Sequence, residues 1–380
     1  MKFQFRGTGA ELGRRNVIDR AIGSGLLIRV LELQFPAKEA GLPEGCESAD
    51  VLPALAFQRN LFAAIDILQD QAEKLLEEIK PKPSCIICDT HIAWIAETAD
   101  KFQIPRIIFD GMRTLCIQDI RNKIRTTEER AYGVVINTFE ELEQRYVDKI
   151  RRLKDGRVWC IGPLSLCNND NLDKSQRGNK ASFHKEDKDS LIKWLDSWPP
   201  ESVVYACLGS LGRITVVQFV ELALGLEASG YPFILVIKAG EGQEPIDDWI
   251  SKNGFEKRTK ERGLLIQGWA PQVLILSHPS IGGFLTHCCW NSTLEGIAAG
   301  VPVITWPLFS EQFLNERYLV HVLKMGVSVG SQGVMHLGEE ENPEVQVNKE
   351  EVTKAIKKVT AKEKEINDWR KRAKELQKRQ

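Results

Sequence analysis

The sequence predicts an α/β protein made of two doubly wound, Rossmann-like domains. Its 380 residues exceed what a single core serves, at roughly 100 to 200 residues per domain. Short β-branched runs alternate with stretches of helical periodicity, the rhythm of strand–helix–strand units. The strands themselves are near-continuous apolar runs, as in parallel sheets covered on both faces.

In chain order, KPSCIICD gives a strand, HIAWIAETADKFQIP a helix with His91 near its start, and RIIF another strand, about half of one such domain. From Gly133 the order is strand GVVINTF, helix EELEQRYVDKIRRL and strand VWCIG. After Cys167 the stretch NNDNLDKSQRGNKASFHKEDKD has too few apolar residues to bury anything and reads as a linker. The predicted division is therefore 1–165, a linker 166–189, and 190–380. Beyond the linker come strand SVVYACL, helix ITVVQFVELALGLEASG closed by Gly230, and strands FILVIK, GLLIQ and IGGFLTHC, with further helices starting at Trp290 and near Glu311. Sites in such sheets lie beyond the carboxyl ends of strands. That singles out two strand-to-helix turns, Leu208-Gly209-Ser210 and 287–292. The tail from Lys349 onward, rich in Glu, Lys and Arg at helical spacing, predicts solvated helices.

Composition narrows the function classes. Apolar residues make up 43% and charged residues 27%, with a net charge of −1, so there is no basic excess of the kind a nucleic-acid partner requires. No apolar run is long enough for a bilayer span and none near Met1 resembles a secretory leader, which predicts a cytoplasmic protein. The nine cysteines are odd in number and only Cys85 and Cys88 form a C-x-x-C, a pattern of reduced thiols rather than a disulfide framework or zinc cage. No G-x-G-x-x-G opens a helix, since Gly23 and Gly25 are followed by Ile28, and Gly240 and Gly242 by Pro245. This sets aside a dinucleotide-dependent oxidoreductase.

In THCCWNSTLEG an apolar strand ends at Thr286 or His287 and a helix begins around residues 290–292, so N–H groups and the helix dipole converge on an anion site. Taken one at a time, Asn291 and Ser292 read as helix caps, His287 as a core histidine and Trp269 as a core indole. Glu295, one helical turn after Asn291, reads as an ordinary helical glutamate.

The order of these residues within one stretch changes that reading. From Trp269 to Gln312, WAPQVLILSHPSIGGFLTHCCWNSTLEGIAAGVPVITWPLFSEQ resembles the 44-position donor-binding box of plant secondary-product UDP-glycosyltransferases, and the likeness extends over most of residues 16–380. The resemblance implies a GT-B fold, two Rossmann-like domains facing a cleft, with UDP-glucose as co-substrate and neither metal nor other cofactor. It implies that Trp269 stacks on uracil, that Ala270 and Gln272 complete nucleoside recognition, and that Glu295 takes the ribose hydroxyls. His287, Asn291 and Ser292, with Trp290 opening their helix, fall to the diphosphate, and Ser210 adds a hydroxyl. Glu311, where the family usually has aspartate, and Gln312 fall to the sugar; Gln312 is similar to glucose-using members, whereas galactose-using ones tend to carry histidine.

The front of the chain departs from the family. Its inverting displacement uses a histidine base near the N-terminus, oriented by an aspartate that Asp89 matches, but the six histidines begin at His91. The N-terminal domain is accordingly expected to be incomplete, family residues that shape the acceptor pocket are missing after Gly111, Cys289 stands where relatives have glycine, and the chain ends before the family's closing helices. Two functions follow from the resemblance: an inverting O-glucosyltransferase of flavonoid, triterpenoid or hormone-like acceptors, or a relative that binds UDP-sugar without efficient transfer. The partners implied are a UDP-sugar and a small-molecule acceptor.

Overall fold

The computed structural model describes residues 2–6, 18–49, 52, 57–111, 126–167, 174–175, 185–209, 214–237, 244–333, 346–361 and 364–378. The chain divides into two compact units, Met1–Leu164 and Ser165–Gln380.

In the first unit β1 (Lys2–Arg6) pairs in parallel with β2 (Val30–Gln34). Neither strand stands out in the sequence, because charged and polar residues interrupt both runs. A second, parallel sheet has the order β3 (Ile86–Asp89), β4 (Arg106–Asp110), β5 (Gly133–Ile136), β6 (Val158–Cys160). Two helices that the sequence reading passed over, Gln58–Ile67 and Gln69–Glu78, bury Leu61, Ala64 and Ala72 with Leu33, Phe35 and Trp94. Trp94 Nε1 donates to the Ile65 carbonyl at 2.8 Å, which fixes the start of the next helix. That helix is Ile95–Lys101, so His91 lies in a turn before it rather than in its first turn. The reason is local: the Asp89 carboxylate accepts the His91 backbone N–H at 2.9 Å, a side-chain bond that competes with helix formation.

The second unit holds a six-stranded parallel sheet in the order β12-β11-β10-β7-β8-β9. Its strands are β7 (Val203–Cys207), β8 (Phe233–Ile237), β9 (Gly263–Gln267), β10 (Ile281–Thr286), β11 (Val303–Thr305) and β12 (Gly326–Ser328). The last two have three residues each, too short to show a period. Helix Val216–Ser229 closes at Gly230 with φ +80°, where the sequence placed its stop, and opens on Thr215, whose side chain accepts the Gln218 N–H.

One face of this sheet, with Val204, Ala206, Leu285 and Ile304, packs beneath Phe219, Leu222 and Leu226 and beneath Val352, Ile356, Val359 and Trp369. The tail is therefore not solvated. Helix Lys349–Thr360 buries Val352, Ala355, Ile356 and Val359 along one stripe, and its charges occupy the other faces, which is what a reading of composition alone registers. A capping box between Asn348 and Glu351 starts this helix. The buried Gln218 side chain holds the preceding strand of backbone, donating to the Val347 carbonyl and accepting the N–H groups of Gln346 and Val347. Among the described residues no helix is long and apolar enough to cross a membrane.

Candidate functional site

The strand order reverses between β7 and β10. From β7 the sheet grows through β8 and β9, then the chain crosses to β10 and grows the other way through β11 and β12. Loops leaving the carboxyl ends of strands at such a reversal diverge and open a crevice. Cys207 and Thr286, which end β7 and β10, are register partners, so the two turns singled out in the sequence follow adjacent strand ends. Ser210 lies outside the described residues. Gly209 has φ +80°, and a Cβ there would lie 2.3 Å from His287 Cε1 and 2.5 Å from its Nε2. The backbone presses on the imidazole at a distance and a conformation that only glycine tolerates.

His287 is buried, and its Nδ1 has no hydrogen-bond partner. Burial pushes its pKa down to about 4, against an opposing influence from the Glu311 carboxylate. The ring is therefore neutral at neutral pH, with one N–H to donate. A buried polar atom without a partner costs about 1–3 kcal/mol and is rare, which marks this one as a group awaiting a ligand or water.

Helix Trp290–Ala299 starts on Cys289 with no side-chain cap. Asn291 and Ser292 are thus the second and third residues of the helix rather than caps. The N–H groups of its first turn have no intrahelical acceptor, and the dipole adds partial positive charge there. Cys289 has φ −63° and ψ 152°, a conformation any residue adopts, so replacing the family's glycine with cysteine strains nothing in the backbone. The left-handed residue of this turn is Cys288, at φ +66°. The Cys289 thiol, kept protonated by burial, donates to Ser292 Oγ at 3.4 Å. Trp290 is buried among the core side chains, leaving its backbone as what it can offer a ligand, whereas Asn291 is exposed.

Beyond β9, Gly268 turns the chain with φ +85°, and Trp269 and the buried Ala270 lead into helix Gln272–Leu276. Gln272 reaches across to the other helix: its Nε2 donates to Glu295 Oε2 at 2.7 Å and to Ser292 Oγ at 3.3 Å, while its Oε1 accepts the Tyr205 hydroxyl at 3.4 Å. Tyr205 is itself buried and stacked on Phe284 of β10, centroids 5.3 Å apart. Three residues placed on nucleoside, ribose and diphosphate by resemblance are thus one hydrogen-bonded group.

Glu311 stands at the N-cap position, without a side-chain capping bond, and Gln312 begins helix Gln312–Arg317. The buried Gln312 Oε1 accepts the backbone N–H groups of Leu308 (2.8 Å) and Phe309 (3.1 Å), so its carbonyl oxygen is engaged by the loop. Two further residues set this helix. Asn315 Nδ2 donates to the Cys288 carbonyl at 2.9 Å, joining the helix to the 287–289 turn. Glu316 accepts from Thr305 Oγ1 (2.6 Å) and Ser328 Oγ (3.1 Å) at the ends of β11 and β12. Tyr205, Asn315 and Glu316 escaped the sequence reading. Nothing distinguishes Tyr205 from an ordinary strand residue, but Gln312, Asn315 and Glu316 form a polar stripe at i, i+3 and i+4, which is a signal of a helix face turned toward other polar groups.

Asp89 belongs to the other unit, at the carboxyl end of β3, where it accepts from His91 Nδ1 at 2.6 Å. Burial works to raise its carboxyl, and the bonds from His91 overcome this and hold it below the ordinary value.

Comparison with known proteins gives this geometry a family. Residues 176–341 match the family model for UDP-glucoronosyl and UDP-glucosyl transferases. UDP-glycosyltransferase 73C2 of Arabidopsis thaliana is 44% identical over 411 residues, covering 95% of this chain and 82% of that protein. Since those 411 positions take up only part of a 380-residue chain, the relative has positions inside the aligned stretch with no counterpart here. Among solved structures, Glycyrrhiza uralensis UGT73P12 complexed with glycyrrhetinic acid 3-O-monoglucuronide superposes with a TM-score of 0.86 at 30% identity, over 99% of this chain and 84% of that one. Arabidopsis thaliana UGT89C1 complexed with UDP-L-rhamnose gives 0.79 at 27% identity, over 99% and 85%. The strand-end crevice with its Gly209–His287 contact and its Gln272–Ser292–Glu295 group therefore sits in a chain that belongs to the plant family 1 UDP-glycosyltransferases and has their GT-B fold.

Proposed function

We propose that this chain transfers glucose from UDP-glucose, with inversion, to a hydroxyl of a small plant molecule of the flavonoid, triterpenoid or hormone-like classes. The observation that carries the donor half is the joining of Gln272, Ser292 and Glu295 into one group beside the helix N-terminus at residue 290. Nucleoside, ribose and diphosphate contacts are then preorganised together. The departing UDP gains negative charge, so donors fixed around the diphosphate stabilise the transition state more than the ground state. In this reading the donors are the neutral His287, Ser292 and the first-turn N–H groups, and no metal or other cofactor takes part. Residues 190–380 hold the donor and residues 1–165 serve the acceptor.

The donor sugar rests on Gln312. UGT89C1 has been crystallised with UDP-L-rhamnose, so family membership alone does not fix the sugar. Calorimetry with UDP-glucose, UDP-galactose and UDP-L-rhamnose, followed by chromatographic detection of a quercetin glucoside, tests the proposal. Preference for UDP-glucose with product formed supports it; absence of UDP-glucose binding overturns it. A second reading is donor binding without efficient transfer, and binding without product would select it.

Gln312→His is expected to raise use of UDP-galactose relative to UDP-glucose in a mixed-donor assay, and an unchanged ratio would remove Gln312 from sugar selection. The same change should cost about 1 kcal/mol of stability, because one ring nitrogen replaces an oxygen that accepts two backbone N–H groups. Cys289→Gly removes the thiol that engages Ser292 at the helix mouth. UDP affinity should rise roughly three- to tenfold, because glycine clears the side chain from the helix mouth. Calorimetry showing equal affinities would place the thiol away from the diphosphate.

A further inference from the structure

Inside the turn that carries His287, Cys288 is held at φ +66°. That left-handed conformation is disfavoured for a residue with a side chain, so the surroundings must hold it. Every polar group of Cys288 is engaged. Its N–H donates to Thr286 Oγ1 at 3.3 Å, its thiol donates to the Thr286 carbonyl at 3.5 Å, and its carbonyl accepts from Asn315 Nδ2 at 2.9 Å. The first two bonds come from a residue two positions away and form with the turn itself. The third comes from a different element, helix Gln312–Arg317.

Asn315 is buried, and its helix is fixed independently of the turn. Glu316 ties the helix to Thr305 and Ser328 at the ends of β11 and β12, and Gln312 ties it to the N–H groups of Leu308 and Phe309. The Asn315 amide therefore reaches Cys288 from a rigid base. The peptide joining Cys288 to Cys289 is trans, so its carbonyl and its N–H point to opposite sides. With the carbonyl turned to Asn315, the Cys289 N–H is directed away from it, at the mouth of helix Trp290–Ala299. Among the described residues no acceptor meets that N–H. Rotating this peptide would bring an oxygen, the negative end of its dipole, to the place where N–H groups converge.

We infer that Asn315 is a positioning residue of the donor site, an inference that rests on the donor reading above. It locks the 288–289 peptide so that the Cys289 N–H and the neighbouring His287 ring are presented to the diphosphate, and it acts through that peptide rather than on the donor. Gln312, which that reading places on the sugar, stands one helical turn before Asn315. One short helix then sets both the diphosphate donors and the sugar's position.

The Asn315→Ala and Asn315→Leu chains are to be titrated with UDP by calorimetry and with uridine by ligand-observed NMR. Leucine keeps the side-chain volume and removes the donor, whereas alanine leaves a hole as well. Both variants should bind UDP about tenfold more weakly, the equivalent of one hydrogen bond, while uridine, which lacks the phosphates, binds as it does to the wild type. A residue that merely supports the fold would lower the denaturant midpoint and leave both affinities of the folded chain unchanged, or weaken both ligands alike. Either result would overturn the inference. Wild-type UDP affinity in Asn315→Leu would overturn it too, by assigning any loss in Asn315→Ala to the hole. Circular dichroism identifies a variant that fails to fold, and the other then carries the test. In each of these outcomes the donor reading stands; a wild-type chain that binds no UDP overturns that reading and the inference with it.

Discussion

A Gly209→Ala chain is expected to lose UDP affinity by about 10²-fold, equivalent to nearly 3 kcal/mol. Two costs coincide at this position. The backbone is at φ +80°, where a side chain adds about 1–3 kcal/mol of strain, and the new methyl would meet the His287 ring at 2.3 Å. The ring is buried and has no easy retreat, so the turn and the imidazole move apart and the donors they present lose their alignment. Gly230 supplies the control: it has the same φ of +80°, yet nothing lies within 4 Å of its missing Cβ. Gly230→Ala should show the strain alone, as lower thermal stability with normal UDP binding. Equal UDP affinity in the wild type and Gly209→Ala would remove the 208–210 turn from the donor site.

The second large effect is a loss of stability in acid that depends on His287. Its folded pKa is about 4 against an ordinary value of 6.5, so as pH falls the unfolded chain takes up the proton first. The contribution is fully present above pH 6.5 and is lost as pH drops through the interval down to about 4, amounting to about 3 kcal/mol. Other groups also contribute to acid lability, among them the half-buried Glu316, whose carboxyl burial raises. The readout is therefore a difference: denaturant unfolding of wild type and His287→Gln at neutral pH and near pH 4.5. The variant should be the flatter of the two with pH. Parallel curves would mean that His287 is protonated or solvated in the folded chain.

The second unit was legible in its punctuation. Gly230 stops a helix where the sequence placed the stop, and Trp290 opens one where the strand IGGFLTHC ends. These signals are local, set by one or two residues. What escaped was the pairing of distant residues: Gly209 with His287, Tyr205 with Gln272, Asn315 with Cys288. A polar residue's partner depends on strand order, and strand order depends on crossovers that no short window contains. The tail misled for a different reason. The apolar stripe of helix Lys349–Thr360 is four residues beside six charged ones, so averaging over composition hides a face that periodicity shows. In the first unit the helix expected from His91 begins at Ile95, because Asp89 competes locally for a backbone N–H.

The helix Lys349–Thr360 packs on the helix Val216–Ser229, to which it is tied by bonds such as Lys349 N–H to Glu221 and Thr353 Oγ1 to the Gly225 carbonyl. These join residues 128 apart. During synthesis at about 5–20 residues per second, the earlier helix leaves the ribosome many seconds before the later one can cover it. Until then Phe219, Leu222 and Leu226 keep an uncovered side. The nascent chain thus passes through an interval with a sticky, half-covered sheet face, and a stalled or prematurely released product lacking those last residues is the species that chaperones and proteases would meet.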